Sequence, residues 1–326
     1  MKALLCTAFG PIETLTVREA PSPRPGPSQV LLDVKAASLN FPDVLMVQGL
    51  YQVKPPLPFS PGVEMSGVIV ETGEAVKGFR PGDRVIAVAG WGGFAEECVA
   101  DADRLTPLPG GMDFVTGAAF LYTHETSLHA LKDRGGLCAG ETLLVLGAAG
   151  GVGLAAVEIG KAMGARVIAA ASSEAKLDLC RQKGADEVID YASEDLRERI
   201  RELTGEKGVD VVVDPVGGPT TETALRASAW RGRLLVVGFA AGGIPKIPIN
   251  LALLKERSIV GVYWGESVRR DPESHLQNSR QLMEWFSAGK VTSAVSERVP
   301  LRDAPAVMKR MAERKVQGKI VILPES

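Results

Sequence analysis

The sequence contains few aromatic residues, few cysteines and almost no net charge. Aromatic residues make up 5% of its 326 residues, and the formal net charge is −2 at pH 7. This balance excludes the strongly basic surface with which proteins bind nucleic acid or anionic membranes. The four cysteines, Cys6, Cys98, Cys138 and Cys180, match neither a C-x-x-C zinc motif nor the dense disulfide framework of a small secreted protein. We therefore expect a cytoplasmic protein with reduced thiols.

Long hydrophobic runs and a targeting segment are missing too. The charge-free segment 142–157 is shorter than the ~18 residues that a membrane-spanning helix needs. The apolar stretch within residues 1–15 is too short for a signal peptide and lacks a convincing cleavage site. The sequence therefore predicts no membrane association.

Glycine and proline, in contrast, are abundant, with 36 and 21 residues. In the first 110 residues, Pro-Gly pairs separate short apolar runs such as 30–34, 67–71 and 84–88. This pattern predicts a compact, barrel-like β domain. At ~150 residues per domain, the chain is long enough for about two domains.

The pattern changes near residue 141, where strands begin to alternate with helices. The predicted strands are 142–146, 166–170, 187–189, 209–213, 233–237 and 257–262, and the predicted helices between them are 154–163, 174–183, 196–203 and 221–229. This alternation is typical of a doubly wound parallel sheet that helices cover on both faces. Two further helices, 276–288 and 304–314, and a strand, 319–323, follow.

A glycine-rich loop, Gly-Ala-Ala-Gly-Gly-Val-Gly, follows the first of these strands and opens a predicted helix. Gly150 and Gly151 would let the backbone approach a pyrophosphate, and Gly153 would let the helix pack tightly on the strand. The helix N-terminus, which includes Val152, would supply N–H groups and the positive end of the helix dipole. We therefore assign these four residues to a dinucleotide site, a purely structural turn being the alternative.

The end of the second strand favours NADPH over NADH. An NAD site usually places an Asp or Glu ~20 residues after the glycines to bind the ribose 2′-OH, whereas this strand ends in Ala-Ala-Ala-Ser-Ser. Ser172 and Ser173 are suited to donate hydrogen bonds to a 2′-phosphate, Lys176 to neutralise it, and Tyr191 to contact it. The alternative is that Ser173 only caps a helix and that Lys176 is a surface lysine.

Together with motifs in the N-terminal half, these residues resemble the zinc-free quinone oxidoreductase branch of the medium-chain dehydrogenase/reductase superfamily. The motifs outside the glycine-rich loop are Asn40-Phe41-Pro42-Asp43, Pro61-Gly62-Val63-Glu64, Gly82-Asp83-Arg84-Val85, Gly184-Ala185-Asp186, Asp190-Tyr191, Asp214-Pro215-Val216-Gly217-Gly218 and Gly318-Lys319. The resemblance implies a GroES-like β domain built from both chain ends, residues 1–122 and 263–326, around a Rossmann domain, residues 123–262. It also implies a homodimer.

The resemblance further implies hydride transfer from NADPH without zinc. Where zinc-dependent relatives have a Cys and a His as metal ligands, this chain has Asn40 and Val63. His124 and His129, without thiolates at compatible spacing, make a poor zinc site, so no metal is expected. The acceptor would bind in the cleft between the domains.

The family pattern also assigns individual residues to the reaction. Asn40, Tyr51 and Thr126 fall at catalytic positions, with Asn40 as a hydrogen-bond donor to the substrate or the nicotinamide ribose. Gly238 and Phe239 fall in the loop that contacts the nicotinamide carboxamide. These assignments come from the resemblance and not from the composition or spacing of the residues.

The acceptor is the open part of the prediction. A quinone is favoured, because its reduction needs no Lewis acid. Leu45 stands where many quinone reductases have a tyrosine, and Arg269-Arg270 could bind an anionic group, so reduction of an activated C=C bond in an enone, enal or enoyl thioester is the alternative. A third interpretation is an NADPH-binding protein with a structural or regulatory role, because no acid–base residue is obvious.

Overall fold

The computed structural model describes residues 1–324. Its strands are β1 (Lys2–Leu5), β2 (Thr16–Glu19), β3 (Gln29–Ser38), β4 (Glu64–Thr72), β5 (Arg84–Ala87), β6 (Glu97–Asp101), β7 (Leu105–Pro107), β8 (Thr142–Leu146), β9 (Arg166–Ala171), β10 (Glu187–Asp190), β11 (Val209–Asp214), β12 (Ser228–Val236), β13 (Ser258–Gly261), β14 (Val295–Pro300) and β15 (Lys319–Leu323). Residues 325 and 326, which the sequence assigns to the C-terminal part of the catalytic domain, lie outside the described residues.

The helices are mostly short. They are α1 (Phe41–Val47), α2 (Phe114–Ala118), α3 (Leu121–Leu128), α4 (Gly151–Ala162), α5 (Glu174–Gln182), α6 (Leu196–Thr204), α7 (Pro219–Arg226), α8 (Asn250–Leu253), α9 (Trp264–Arg270), α10 (Pro272–Ser287) and α11 (Ala304–Ala312). A π-helical segment, His129–Arg134, follows α3 directly.

One compact unit contains Met1–Tyr122 and residues 293–324. Its larger sheet has the strand order β14-β15-β3-β4-β5-β7, and β6 also pairs with β3. Strand β3 is antiparallel to both β4 and β15, which places Ser38 beside Glu64 on one side and beside Val321 on the other. Ser38, the last residue of β3, therefore lies between the first residue of β4 and the middle residue of β15. The apolar side chains of Leu32, Met46 and Met65 are fully buried beside this sheet.

The other unit, Thr123–Thr292, contains six parallel strands in the order β10-β9-β8-β11-β12-β13. This is the Rossmann strand order, in which the direction of winding reverses between β8 and β11. All six residues of β11 are buried, as expected for a parallel strand that helices cover on both faces. The predicted doubly wound parallel sheet is therefore confirmed.

Two features differ from the sequence prediction. The first 110 residues contain α1, where Asp43 Oδ2 accepts a hydrogen bond from Asn40 N at 2.8 Å. Seven residues are too few to show a clear helical hydrophobic period, so only this capping contact marks the helix. Residues 263–292 lie in the Rossmann unit, beyond the predicted boundary at 262, because Asn278 on α10 donates to Asp133 at 2.8 Å.

Candidate functional site

The glycine-rich loop connects β8 to α4, and two of its glycines, Gly147 and Gly153, are required for steric reasons. A Cβ on Gly153 would lie 2.5 Å from Gly147 O and 2.7 Å from Ala148 Cα, so only glycine allows α4 to begin this close to the strand. Gly147 has φ +57°, in the left-handed region, and a Cβ there would lie 2.6 Å from a Val216 methyl group. Gly150 occupies the N-cap of α4.

The start of α4 is suited to bind phosphate. Gly151, Val152 and Gly153 form its first turn, where backbone N–H groups point out of the helix along the positive end of its dipole. In α3, Ser127 donates its hydroxyl to Val152 O at 2.9 Å, which ties α3 to the loop. The preceding residue, Thr126, is 9% exposed on the same helix. Thr126 therefore precedes, by one residue on the same helix, the serine that contacts the glycine-rich loop.

The predicted 2′-phosphate residues meet at the ends of β9 and β10. Lys176, in the first turn of α5, donates Nζ–H to Ser172 Oγ at 3.2 Å. Tyr191 follows β10, and its N–H donates to Ala171 O at 3.1 Å, which places it beside the end of β9. Ser173 is the N-cap of α5 by position but forms no side-chain cap bond. Strand β9 ends at Ala171 and is followed by two serines, so no carboxylate stands at its tip.

Two further loops follow strands β11 and β12, one after each strand. Asp214 ends β11, and its carboxylate accepts hydrogen bonds from Val216 N at 2.9 Å and Gly217 N at 2.8 Å. Gly238 N donates to Asp214 O at 3.3 Å, which holds the Gly238-Phe239 segment against the end of β11. These loops lie at the same carboxyl edge of the parallel sheet as the glycine-rich loop, because all six strands point in one direction.

In the other unit, Asn40 belongs to a buried polar ring. Its Oδ1 accepts from Lys319 Nζ at 2.6 Å, and its Nδ2 donates to Ser38 Oγ at 3.0 Å and to Ser38 O at 3.3 Å. Ser38 Oγ donates to Glu64 Oε2 at 2.8 Å, and Lys319 Nζ lies 3.7 Å from the same oxygen. Nδ2 of the Asn40 amide thus already contacts two acceptors of Ser38, and donation to a substrate would compete with these bonds.

Asp43 and the tyrosine pair border this ring. Asp43 is fully buried and accepts from Gly62 N at 2.9 Å and Val63 N at 3.0 Å. Burial raises the pKa of Asp43 to about 7, against the opposing effect of its backbone hydrogen bonds. Tyr122 donates its backbone N–H to Glu64 Oε1 at 2.8 Å, and its hydroxyl forms a hydrogen bond with Tyr51. Burial, with the neighbouring Tyr51 as the second cause, raises the pKa of Tyr122 well above its usual range.

Sequence reasoning missed Lys319, Glu64 and Tyr122 as members of this cluster. The available signal was a charged residue inside an apolar strand: Lys319 begins Lys-Ile-Val-Ile-Leu, and Glu64 precedes Met65 in β4. Such residues, when buried, need polar partners. Which partners they find depends on the pairing of β3 with β4 and β15, and a sequence alone does not show that pairing.

The two positions that the resemblance aligns with zinc ligands are Asn40 and Val63. Val63 has no ligating atom, and the Asn40 amide oxygen is bound by the Lys319 ammonium group. Burial raises the pKa of the Cys98 and Cys180 thiols to about 12, so neither is available as a thiolate. Within residues 1–324, no cluster of three or more His, Cys, Asp or Glu side chains is arranged to hold a metal ion.

Three residues outside the site, His129, Arg269 and Arg270, have ordinary structural roles. His129 is 7% exposed and lies 2.9 Å from Asp133 through Nδ1, within the π-helical segment. Arg269 and Arg270 both pair with Glu266, at 2.6 and 2.7 Å, and both side chains are largely exposed. Their charge is thus partly neutralised on α9 itself, which weakens the argument that they bind an anionic substrate.

A Rossmann unit with a glycine-rich first turn and a separate β unit define a two-domain, dinucleotide-binding class of protein. Family models agree. The "Alcohol dehydrogenase GroES-like domain" model matches residues 26–110, and the "Zinc-binding dehydrogenase" model matches residues 151–285. Among residues 1–324, no helix combines the length and hydrophobicity needed to cross a membrane.

Individual relatives cover nearly the whole chain. Mouse quinone oxidoreductase-like protein 2 is 37% identical in an alignment 326 positions long, which covers 98% of this chain and 91% of the mouse chain. The structure of Escherichia coli quinone oxidoreductase complexed with NADPH is 28% identical, with a TM-score of 0.91 over 99% of this chain and 100% of that one. The CurK enoyl reductase structure is 26% identical, with a TM-score of 0.89 over 99% and 98% of the two chains.

The chain belongs to the quinone oxidoreductase branch of the medium-chain dehydrogenase/reductase superfamily, and it is an oxidoreductase. The GroES-like fold predicted for the unit formed by both chain ends is confirmed with it.

Proposed function

We propose that the chain is an NADPH-dependent quinone oxidoreductase that transfers hydride without zinc. The observation that supports NADPH as the cofactor is the group at the end of β9, where Lys176 donates to Ser172 and the strand is followed by two serines, with no carboxylate at its tip. A cation and hydroxyl donors suit a 2′-phosphate, whereas a carboxylate would suit the 2′-OH of NADH. The E. coli relative solved with NADPH supports the same cofactor.

The residues of the Rossmann unit fit this cofactor. A Cβ on Gly153 would clash with the backbone of Gly147 and Ala148, so glycine is needed for α4 to start close to its strand. The N–H groups in the first turn of α4 would face the pyrophosphate. Lys176, Ser172, Ser173 and Tyr191 would hold the 2′-phosphate, and the Gly238-Phe239 loop the carboxamide. When bound, NADPH supplies a hydride from its nicotinamide C4.

On the acceptor side, the chain's own residues orient the substrate and stabilise charge. Reduction of a quinone by hydride and one proton yields a hydroquinone, so negative charge develops on an acceptor oxygen before the proton arrives. Hydrogen-bond donors aimed at that oxygen lower the barrier. The Tyr51 hydroxyl, paired with Tyr122, is the donor we propose. Asn40, whose amide is directed at Ser38 and Lys319, then acts by holding the local backbone instead of by touching the substrate.

The test is a set of steady-state NADPH oxidation assays with quinones, enals, enones and enoyl thioesters, in buffer containing a metal chelator. The proposal expects turnover of at least one quinone, unaffected by the chelator. Affinities for NADPH and NADH, measured by fluorescence titration, should favour NADPH. Turnover of alkenes without any quinone would overturn the quinone assignment while leaving the cofactor assignment intact.

Reduction of an activated C=C bond is the second candidate. The similarity to CurK enoyl reductase favours it, as does Leu45 at a position where many quinone reductases have a phenol. If NADPH binds but no compound in the panel is reduced, the third interpretation, a structural or regulatory NADPH-binding protein, is favoured.

We also propose that the chain forms a homodimer through the outer strand of the Rossmann sheet. Strand β13 is at the sheet edge, and Ile259 on it is 39% exposed. Trp230, Leu253 and Tyr263, on neighbouring segments of the same unit, are more than half exposed. A second copy pairing at this edge would cover unpaired backbone groups and these apolar side chains. Light scattering at micromolar concentration tests this, and a monomeric mass contradicts it.

A further inference from the structure

The buried ring around Lys319 joins three segments that are far apart in sequence. Lys319 is 3% exposed, Glu64 is fully buried, and the two charges lie 3.7 Å apart. Asn40 and Ser38 complete the ring, through bonds of 2.6, 3.0 and 2.8 Å. Every contact in it comes from a residue of the same unit.

The position of Lys319 is fixed by its backbone as well. Gly318 has φ +60°, and a Cβ there would lie 2.5 Å from Ala294 O, so the turn before Lys319 has little freedom. Lys319 N donates to the same Ala294 oxygen at 2.8 Å. A long, flexible side chain thus starts from a rigid point, and its ammonium group ends on Asn40.

Buried ion pairs are seldom explained by stability alone, because the loss of hydration offsets much of the attraction between the charges. Hydrophobic residues of similar volume would often stabilise a fold equally well. In some proteins such a pair is retained for the specific geometry that it imposes on its neighbours. Here the neighbours include Tyr122, whose N–H donates to the second Glu64 oxygen at 2.8 Å, and through the Tyr122 hydroxyl also Tyr51.

We propose that Lys319 is a positioning residue for acceptor reduction, acting through Glu64 to hold Tyr122 and thereby the Tyr51 hydroxyl. This inference rests on the proposed function, in which Tyr51 donates to the acceptor oxygen. Lys319 itself does not touch the acceptor. Its ammonium group balances the Glu64 carboxylate, so that Glu64 keeps one oxygen on Ser38 and the other on Tyr122.

The test compares the Lys319→Met/Glu64→Gln double variant with the wild type. The double substitution removes both charges together, so that no uncompensated buried charge is left, as it would be in Lys319→Met alone. The matched control is Lys309→Met/Glu13→Gln, which removes an exposed pair of the same type in the same unit. The melting temperature and circular dichroism of each variant establish that it is folded.

In the folded double variant we expect kcat for the acceptor to fall roughly tenfold to a hundredfold, the range that a small misplacement of a reacting group produces. The dissociation constant for NADPH should stay unchanged, because the cofactor residues lie in the other unit, and the control variant should keep wild-type kcat. A folded Lys319→Met/Glu64→Gln variant with wild-type kcat would overturn the inference.

A second readout does not depend on turnover. The Tyr122 amide donates to Glu64 Oε1, so loss of the position that Lys319 gives Glu64 should speed hydrogen exchange of the Tyr122 amide in the double variant, whereas the control variant should keep the wild-type rate. An unchanged exchange rate would mean that the pair does not hold Tyr122, and it would overturn the inference. If the wild type reduces no acceptor, the proposed function fails, and this exchange rate alone decides the role of Lys319.

Discussion

Replacing Lys176 with alanine should weaken NADPH binding and leave NADH binding almost unchanged. The ammonium group lies 3.2 Å from Ser172 Oγ at the end of β9, in a half-buried position. A charge-assisted contact with a 2′-phosphate in such a place contributes about 1–2 kcal/mol. Because ~1.4 kcal/mol corresponds to tenfold in affinity, the dissociation constant for NADPH should rise roughly tenfold.

Fluorescence titration of both nucleotides measures this directly. Arg181→Ala is the matched control, because it removes a positive charge from the same helix at a site where Arg181 pairs with Glu174 and Asp178. The difference between NADPH and NADH should shrink as salt is added, since screening weakens a partly exposed charge pair. An equal loss of affinity for both nucleotides, or none for NADPH, would refute the assignment of the 2′-phosphate site.

Three other predictions concern single residues. Gly153→Ala should lower the free energy of unfolding by about 1–3 kcal/mol and weaken NADPH binding, because its Cβ would lie 2.5 Å from Gly147 O. Urea denaturation and nucleotide titration measure the two effects, and unchanged values would contradict the close packing of α4. Tyr51→Phe should lower kcat for the acceptor by roughly tenfold without changing the NADPH dissociation constant, and an unchanged kcat would contradict its role as donor. The pKa of Asp43 is raised to about 7, so the folded state binds a proton that the unfolded chain has released, and stability from this group should fall as pH rises from about 4 to about 7. Urea unfolding across that range, compared with Asp43→Asn, measures the slope, and identical slopes for both proteins would contradict it.

Much of the Rossmann unit could be predicted because its signals are local. The strand 142–146 was predicted at the bounds that β8 has, and the predicted strand 166–170 ends one residue before β9 does. Buried parallel strands give continuous apolar runs, and a glycine follows most of the intervening helices. The hydrophobic pattern therefore identifies the elements, and the glycines mark where the helices end. Gly153 could be assigned to close packing from its place in the motif alone.

The acceptor side could be predicted only in part. Asn40 and Tyr51 were identified from the family pattern, but the ring of Lys319, Ser38 and Glu64 depends on strand pairing across the sheet. The sequence also does not show where residues beyond 262 pack. The amphipathic pattern of α10 shows that one face is buried, but not that this face meets Asp133 in the Rossmann unit.

The most direct test of the account is a stoichiometric assay of NADPH and a quinone, with the protein in chelator-containing buffer. The account predicts that one NADPH and one proton are consumed for each hydroquinone formed, at a rate that the chelator does not change. Failure to oxidise NADPH with any quinone, or activity that disappears on chelation and returns with zinc, would contradict it.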